Sequence, residues 1–275
     1  MTVQLKKSES QHMLVNNNLI DVIIDKAKIK HTDIVLEIGA GTGNITMKLL
    51  PKAKKVIAYE KDKKLANEIQ NKLYTQKLLK AKLHLIQDDV LENNLPHFDK
   101  CISNIPFNIS LPIILKLMNS HFKNAFILVQ KEFADRLTSR PGSKDYSRLS
   151  VIVQLFAKVE CVLKVKKNNF IPQPKVDTCF IKIEPKVPRP SLDLTEFDNL
   201  LKICFSRKNK TLMSNLKTPQ MKKYIENSIN CTNFDNQITS ILDKLNYKNE
   251  RPIKMSIEKY VSLFLEFKNQ GIHFN

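Results

Sequence analysis

Residues 34–44, Ile34-Val35-Leu36-Glu37-Ile38-Gly39-Ala40-Gly41-Thr42-Gly43-Asn44, decide the fold. A short apolar run ends in three alternate glycines, and an amphipathic stretch, residues 44–50, starts directly after them. The chain has only five glycines in 275 residues, so three placed this close mark a tight turn where the backbone approaches a ligand. Strand, glycine turn and helix in this order open a βαβ unit, whose ligands bind beyond the carboxyl end of the strand.

Working outward, residues 55–59, 83–87, 99–103 and 125–130 read as further short apolar strands. Amphipathic stretches at 17–27, 62–80 and 111–120 separate them. The alternation predicts an α/β fold with a Rossmann-like, mostly parallel sheet covered on both faces. Residues 151–156, 160–165 and 178–183 read as strands with no long helix between them, which predicts an antiparallel edge. Three prolines in Pro185-Lys186-Val187-Pro188-Arg189-Pro190 make a stiff connector. Beyond it, 195–206, 219–229, 234–245 and 256–268 read as helices only. The expected organisation is a ligand-binding catalytic domain over 1–186 and a small basic helical domain over 187–275.

Forty-five Lys+Arg against 27 Asp+Glu give a net charge of +18, a surplus suited to a protein that lies against phosphates. No run of about 18 apolar residues offers a membrane span, and the first thirty residues lack a secretory apolar region or a transit-peptide pattern. The five cysteines are odd in number, scattered and without a CxxC pair, so reduced thiols in an intracellular compartment are expected. The six histidines show no metal-ligand spacing, so no metal is expected.

Glu60 ends the second strand, 21 residues after Gly39, where a carboxylate can accept both hydroxyls of a ribose. A dinucleotide fingerprint needs glycine at 44, where this chain has Asn44. The pattern G-x-G-x-G preceded by Glu37 suits S-adenosyl-L-methionine, which has no pyrophosphate; a glycine turn that binds nothing is the plain alternative. Asp88 and Asp89 follow the third strand, and Asp89 could accept from the cofactor's adenine amino group, although two adjacent acids also fit a solvated loop. Lys61 and Val90, beside these acids, join Gly41 as candidate cofactor contacts.

Ser103-Asn104-Ile105-Pro106-Phe107 ends the fourth strand. The adenine amino group is a poor nucleophile because its lone pair is delocalised into the ring. The amide oxygen of Asn104 and the carbonyl of Ile105 could accept its two hydrogens and aim the lone pair at a methyl donor. Pro106 fixes the turn that holds both acceptors together. Phe107 offers a flat face to a base that has left its stack. The tetrapeptide alone recurs by chance in loops; behind the glycine turn and Glu60 it points to adenine methylation.

With these motifs the chain resembles the ribosomal RNA adenine N6-dimethyltransferases acting on the small subunit, over nearly its whole length. The opening Gln11-His12-Met13-Leu14, Gln130-Lys131-Glu132, the segment Tyr146 to Val151, and Phe170-Ile171-Pro172-Gln173-Pro174-Lys175-Val176-Asp177 are also similar to that family. Phe205 to Leu212 and His12 resemble its eukaryotic branch. Ser10 and Asp88 stand where the family usually has glycine, and Phe107 where tyrosine is commoner. The resemblance implies two methyl transfers to each of two adjacent adenosines near the 3′ end of small-subunit rRNA. It also implies cofactor contacts from Gln11, His12, Leu14, Gly39, Glu60, Asp89 and Asn104. A monomer acting on a pre-ribosomal particle in the nucleolus, nucleus and cytoplasm would follow for a eukaryotic member.

Residues 201–223 hold seven Lys/Arg and no acid. Arg207, Lys208 and Lys210 in that run, Lys186 and Arg189 at the connector, and Arg136, Arg140, Lys144 and Arg148 around Pro141-Gly142 are candidate rRNA phosphate contacts. Rival readings are a large-subunit rRNA adenine methylase of the macrolide-resistance type, a mitochondrial transcription factor of the same descent, or a mainly non-catalytic assembly factor.

Overall fold

Nine strands and twelve helices order the described residues, 12–228 and 234–275, of the computed structural model. The strands are β1 (Met13–Leu14), β2 (Ile34–Ile38), β3 (Lys55–Tyr59), β4 (Leu83–Ile86), β5 (Lys100–Asn104), β6 (Asn124–Gln130), β7 (Ala157–Val165), β8 (Phe170–Ile171) and β9 (Thr178–Pro185). Seven form one sheet in the order β4-β3-β2-β5-β6-β9-β7, and β1 pairs with β8 in a separate two-stranded sheet. The first five strands of that order run parallel, while β9 joins β6 and β7 antiparallel, the edge that the sequence predicts. This is the Rossmann-like, mostly parallel sheet that the alternation of strands and helices predicts.

The helices are α1 (Asn17–Ala27), α2 (Asn44–Leu49), α3 (Lys63–Lys72), α4 (Lys77–Lys82), α5 (Ser110–Met118), α6 (Lys131–Thr138), α7 (Arg148–Phe156), α8 (Leu194–Cys204), α9 (Leu212–Leu216), α10 (Pro219–Ser228), α11 (Phe234–Leu245) and α12 (Ile257–Asn269). Short polar side chains start several of them. Asn16 accepts from the Leu19 N–H, Asp62 from Lys64, Asp193 from Glu196, and Ser256 from Lys259. In α1 the residues Ile20, Ile23, Ile24 and Ala27 recur at helical spacing and are buried, so one apolar stripe faces the core.

The chain divides into two compact units, and the division is not the single cut at 186/187 that composition suggests. One unit holds the described residues up to 134 together with 157–187; the other holds 135–156 together with 188–275. The segment 151–156, expected as a strand, lies within α7 and belongs to the second unit. Leu149, Val151, Ile152, Val153 and Phe156 are all buried there, and a helix buried on every side has no periodicity to separate it from a strand. The stretch 62–80, read as one helix, breaks between α3 and α4.

In the second unit the Tyr146 hydroxyl donates to the Met255 carbonyl at 2.9 Å and the Tyr260 hydroxyl to that of Pro252 at 2.7 Å. The Phe205 ring stacks on Tyr260 at 5.5 Å. Arg148 donates to both oxygens of Asp198, at 2.7 and 2.8 Å. In the first unit a disulfide joins Cys161 of β7 to Cys179 of β9, so the expectation of reduced thiols fails for this pair. Their partnership depends on which strands pair, and spacing along the chain does not encode that. Cys101 and Cys204 are free and buried, and Cys231 lies outside the described residues. Among the described residues no helix is long and apolar enough to cross a membrane.

Candidate active site at the carboxyl rim

The ends of β2, β3, β4 and β5 line one cleft of about 330 Å³, within the range of small-ligand sites. The glycine turn forms its first wall. The amides of Gly39 and Ala40 both donate to the Tyr59 carbonyl, at 2.9 and 3.0 Å, which pins the turn to the end of β3. Gly41 has φ +59, a left-handed conformation that L side chains rarely adopt, so the backbone calls for glycine here; a Cβ would also press on the movable Met13 Cε, 2.7 Å away. Asn44, which breaks the dinucleotide pattern, donates from Nδ2 to the Leu14 carbonyl at 3.1 Å. That bond ties the start of α2 to the opening motif, a structural task that spacing does not reveal.

Glu60 is buried at the rim, and both its oxygens are anchored. Oε2 accepts from the Gly41 amide at 2.7 Å and Oε1 from the Asp62 amide at 2.8 Å. Burial raises its pKa above the ordinary carboxylate value, against the backbone N–H groups that favour the charge. Asp89 is the opposite case: the Leu91 amide at 2.9 Å and the Lys61 ammonium at 3.0 Å hold its pKa down. Val90 is buried beside it and lines the cleft. Asp88 accepts from the Asp89 amide and from Asn93, so it shapes the loop.

Glu37 lies in the cleft floor with its carboxyl held by Thr46, whose hydroxyl donates at 2.6 Å. Burial lifts its pKa from 4.5 to about 8, so the folded protein keeps it protonated at neutral pH. An unfolded chain releases that proton above about 4.5. The contribution to stability is therefore full below that pH and is lost as pH rises towards 8. Glu37→Gln, uncharged in both states, is expected to flatten this loss in urea unfolding between pH 5 and 8; an unchanged pH profile would refute the assignment.

Asn104 ends β5, and its Nδ2 donates to the His12 carbonyl at 2.8 Å, which leaves Oδ1 as a free acceptor on a cleft-lining side chain. The His12 Nδ1 donates to the Pro172 carbonyl at 2.7 Å, and the His12 ring stacks on Phe107 at 5.3 Å and 30°. Ile105 is buried, and Pro106 borders the cleft 3.5 Å from a Cβ at Gly39. The structure thus gathers His12, Leu14, Glu37, Gly39, Gly41, Glu60, Lys61, Asp89, Val90 and Asn104 to Pro106 at one cleft. Phe107 stands apart from its lining, in the aromatic tier formed with His12. Gln11 lies outside the described residues. Met13, Asn44, Thr46 and Pro172 are supports that the sequence reading missed, and the similarity of 170–174 to the family was the one signal for Pro172.

The cleft's side chains suit a cation. Its charged lining is Glu60, Asp88 and Asp89, with Lys61 paired to Asp89 and no arginine, while Glu37 is held neutral. A pyrophosphate would meet unfavourable charge here, whereas a sulfonium with an ammonium tail would not. The residues present therefore fit S-adenosyl-L-methionine.

The nine expected phosphate contacts divide. Arg148 is committed to Asp198, which corrects the expectation for that residue. Arg207 donates to the Ser214 carbonyl and hydroxyl, and Lys208 to the Lys144 carbonyl at 2.8 Å. Arg189 sits over the Phe156 ring at 5.6 Å, and Arg136 is engaged as well. Arg140, Lys144, Lys186 and Lys210 have exposed side chains.

A model of the ribosomal RNA adenine dimethylase family matches residues 2–253. A probable dimethyladenosine transferase from Dictyostelium discoideum is 42% identical over 98% of this chain and 91% of its own length. The crystal structure of a dimethyladenosine transferase from Plasmodium falciparum superposes with a TM-score of 0.86 at 39% identity, covering 96% of this chain and all of that one. A 23S rRNA methyltransferase structure shares the fold, with a TM-score of 0.64 at 23% identity over 93% of this chain and 99% of that one.

Proposed function

The chain belongs to the ribosomal RNA adenine dimethylase family, and from that premise we propose that it dimethylates N6 of two adjacent adenosines near the 3′ end of small-subunit rRNA. The methyl donor in this reading is S-adenosyl-L-methionine, which when bound supplies a methyl group made electrophilic by its sulfonium. Glu60 accepts the ribose hydroxyls and Asp89 the cofactor's adenine amino group. Asn104 Oδ1 and the Ile105 carbonyl accept the hydrogens of the target N6, so its lone pair points away from the ring plane. Phe107, backed by His12, gives the flipped base a face to stack on. The nitrogen becomes more acidic as it is alkylated, so its proton leaves to water without a dedicated base.

One observation supports this reading above the others: the Asn104 amide is turned by its bond to His12 so that its oxygen is the unpartnered atom, in a cleft shared with Gly39 and Glu60. Arg140, Lys144, Lys186 and Lys210 are proposed phosphate contacts. The proposed setting is a monomer on a pre-ribosomal particle inside the cell. Labelled methyl incorporation into purified small subunits, large subunits and free DNA tests the proposal. Label is expected in small subunits as N6,N6-dimethyladenosine. Label in large subunits alone, or in none of the three, would overturn it.

A further inference from the structure

We propose that the amino-terminal rim of the main sheet, the edge opposite the cofactor cleft, is a second RNA-backbone surface. The proposal rests on the rRNA methyltransferase reading above and adds where else that RNA is held. The observation is a row of lysines along one edge of the sheet. The carboxyl rim holds the acids of the cleft, Glu60, Asp62, Asp88 and Asp89, among lysines that include Lys61, Lys63 and Lys64. The amino rim gathers lysines: Lys54 and Lys55 where β3 begins, Lys28 and Lys30 ahead of β2, and Lys100 and Lys123 at the starts of β5 and β6. Lys182 and Lys186 end β9 on the same rim, and Lys158 opens β7.

These positions span β3, β2, β5, β6, β9 and β7, five interstrand steps or about 24 Å at ~4.8 Å each. Acids on this rim are mostly neutralised already. Asp25 is paired with Lys52 at 2.8 Å, and Glu184 with Lys182 at 2.9 Å. Asp33 is fully buried and held by Lys100 at 3.0 Å, while Lys123 holds Asp99 at 3.0 Å. Lys26, Lys28, Lys30, Lys54, Lys55 and Lys158 are exposed, and none has an acidic partner among the described residues. Lys186, already a proposed phosphate contact, extends the same row.

The rim is also shaped. A cavity of about 370 Å³ opens between the end of α1 and the β6–β9–β7 face, with Lys26, Lys28, Lys100 and Lys182 around it against the single carboxylate of Glu160. Phe126 and Val162 supply apolar wall. The Lys100 ammonium binds the last carbonyls of α1, from Ala27 at 3.1 Å and Lys28 at 2.5 Å. The negative end of that helix is therefore satisfied from within and does not offset the lysines around it. Unpaired ammonium groups on the β3–β2 side and the β9–β7 side, with a recessed lysine-lined seat between them, suit a phosphodiester backbone, which is read by charge and not by sequence.

The test is the triple variant Lys28→Glu/Lys54→Glu/Lys158→Glu in the full chain. Affinity for purified small subunits is expected to fall at least ~10-fold near 100 mM salt, and the slope of log affinity against log salt to shrink by about two. Cofactor affinity and methylation of a short adenosine-containing RNA at saturation should stay within about twofold. Glutamine at the same three positions removes charge at constant polarity and should move binding the same way by less. Unchanged affinity and slope in the glutamine variant would overturn the proposal. So would a loss confined to intact subunits with binding to protein-stripped small-subunit rRNA retained, which would make the partner a ribosomal protein. If the native protein fails to methylate small subunits, the functional reading falls, while these binding curves still decide the rim.

Discussion

Asn104→Ala is expected to slow methyl transfer by about 10²–10³-fold at saturating cofactor, the usual worth of one preorganised polar group in a transition state. Cofactor affinity should change by no more than a few-fold. The separation follows from what the side chain does in the structure. Its Nδ2 is bound to the His12 carbonyl, and its Oδ1 has no partner within the protein. Alanine removes the acceptor that would hold a target hydrogen, and leaves Glu60 and Asp89 with the same partners they have now. Single-turnover rates on small subunits, measured beside equilibrium binding of the cofactor, give the two numbers. A near-native rate would remove Asn104 from the reaction. An equal loss in rate and cofactor affinity would make it a cofactor ligand only.

The His12 position explains why such a loss need not come from Asn104 alone. His12 gives its carbonyl to Asn104, its ring to Phe107 and its Nδ1 hydrogen to Pro172. The β1–β8 pairing, Met13 opposite Ile171 and Leu14 opposite Phe170, brings the two segments together. Two residues per strand leave no hydrophobic period to read, so this small sheet is invisible in the sequence. By contrast β2, β3 and β5 each have an apolar run bounded by turn or charged residues, and their positions were legible to within a residue. The glycine turn was legible because φ values of +71, +59 and +82 at Gly39, Gly41 and Gly43 demand glycine.

Long-range pairing accounts for most of what the sequence hid. Arg148 looks like a phosphate contact until α8 brings Asp198 to it, 50 residues on. Residues 135–156 look continuous with the sheet until Tyr146 bonds to Met255 in the helical unit. Each depends on a partner that only the folded chain supplies. Lysines of the amino rim come from separate stretches of the sequence, and strand order brings those stretches into one row. Glu60 was legible by the reverse logic, since its task is set by the end of its own strand and a turn 19 residues earlier.

Glu60→Gln is accordingly expected to weaken cofactor binding by about 10–100-fold, from one hydrogen bond to a charged group at about 1.5–3 kcal/mol. The rate at saturation should stay within a few-fold of native, the mirror image of Asn104→Ala. Both native oxygens accept from backbone amides, Gly41 on one side and Asp62 on the other. Glutamine has one acceptor and one NH2, so one of those amides must face a donor. If it is Gly41, the glycine turn loses one of its ties to the end of β3 and keeps those of Gly39 and Ala40; if it is Asp62, the start of α3 loosens instead. In either orientation the charge that would receive two ribose hydroxyls is gone. Glu60→Ala removes both anchors and should bind more weakly still. Titration calorimetry with the cofactor, and with its demethylated product, reads the effect directly. Native affinity in Glu60→Gln would mean that the ribose lies elsewhere, and the cleft between β2 and β3 would lose its role as the nucleoside site.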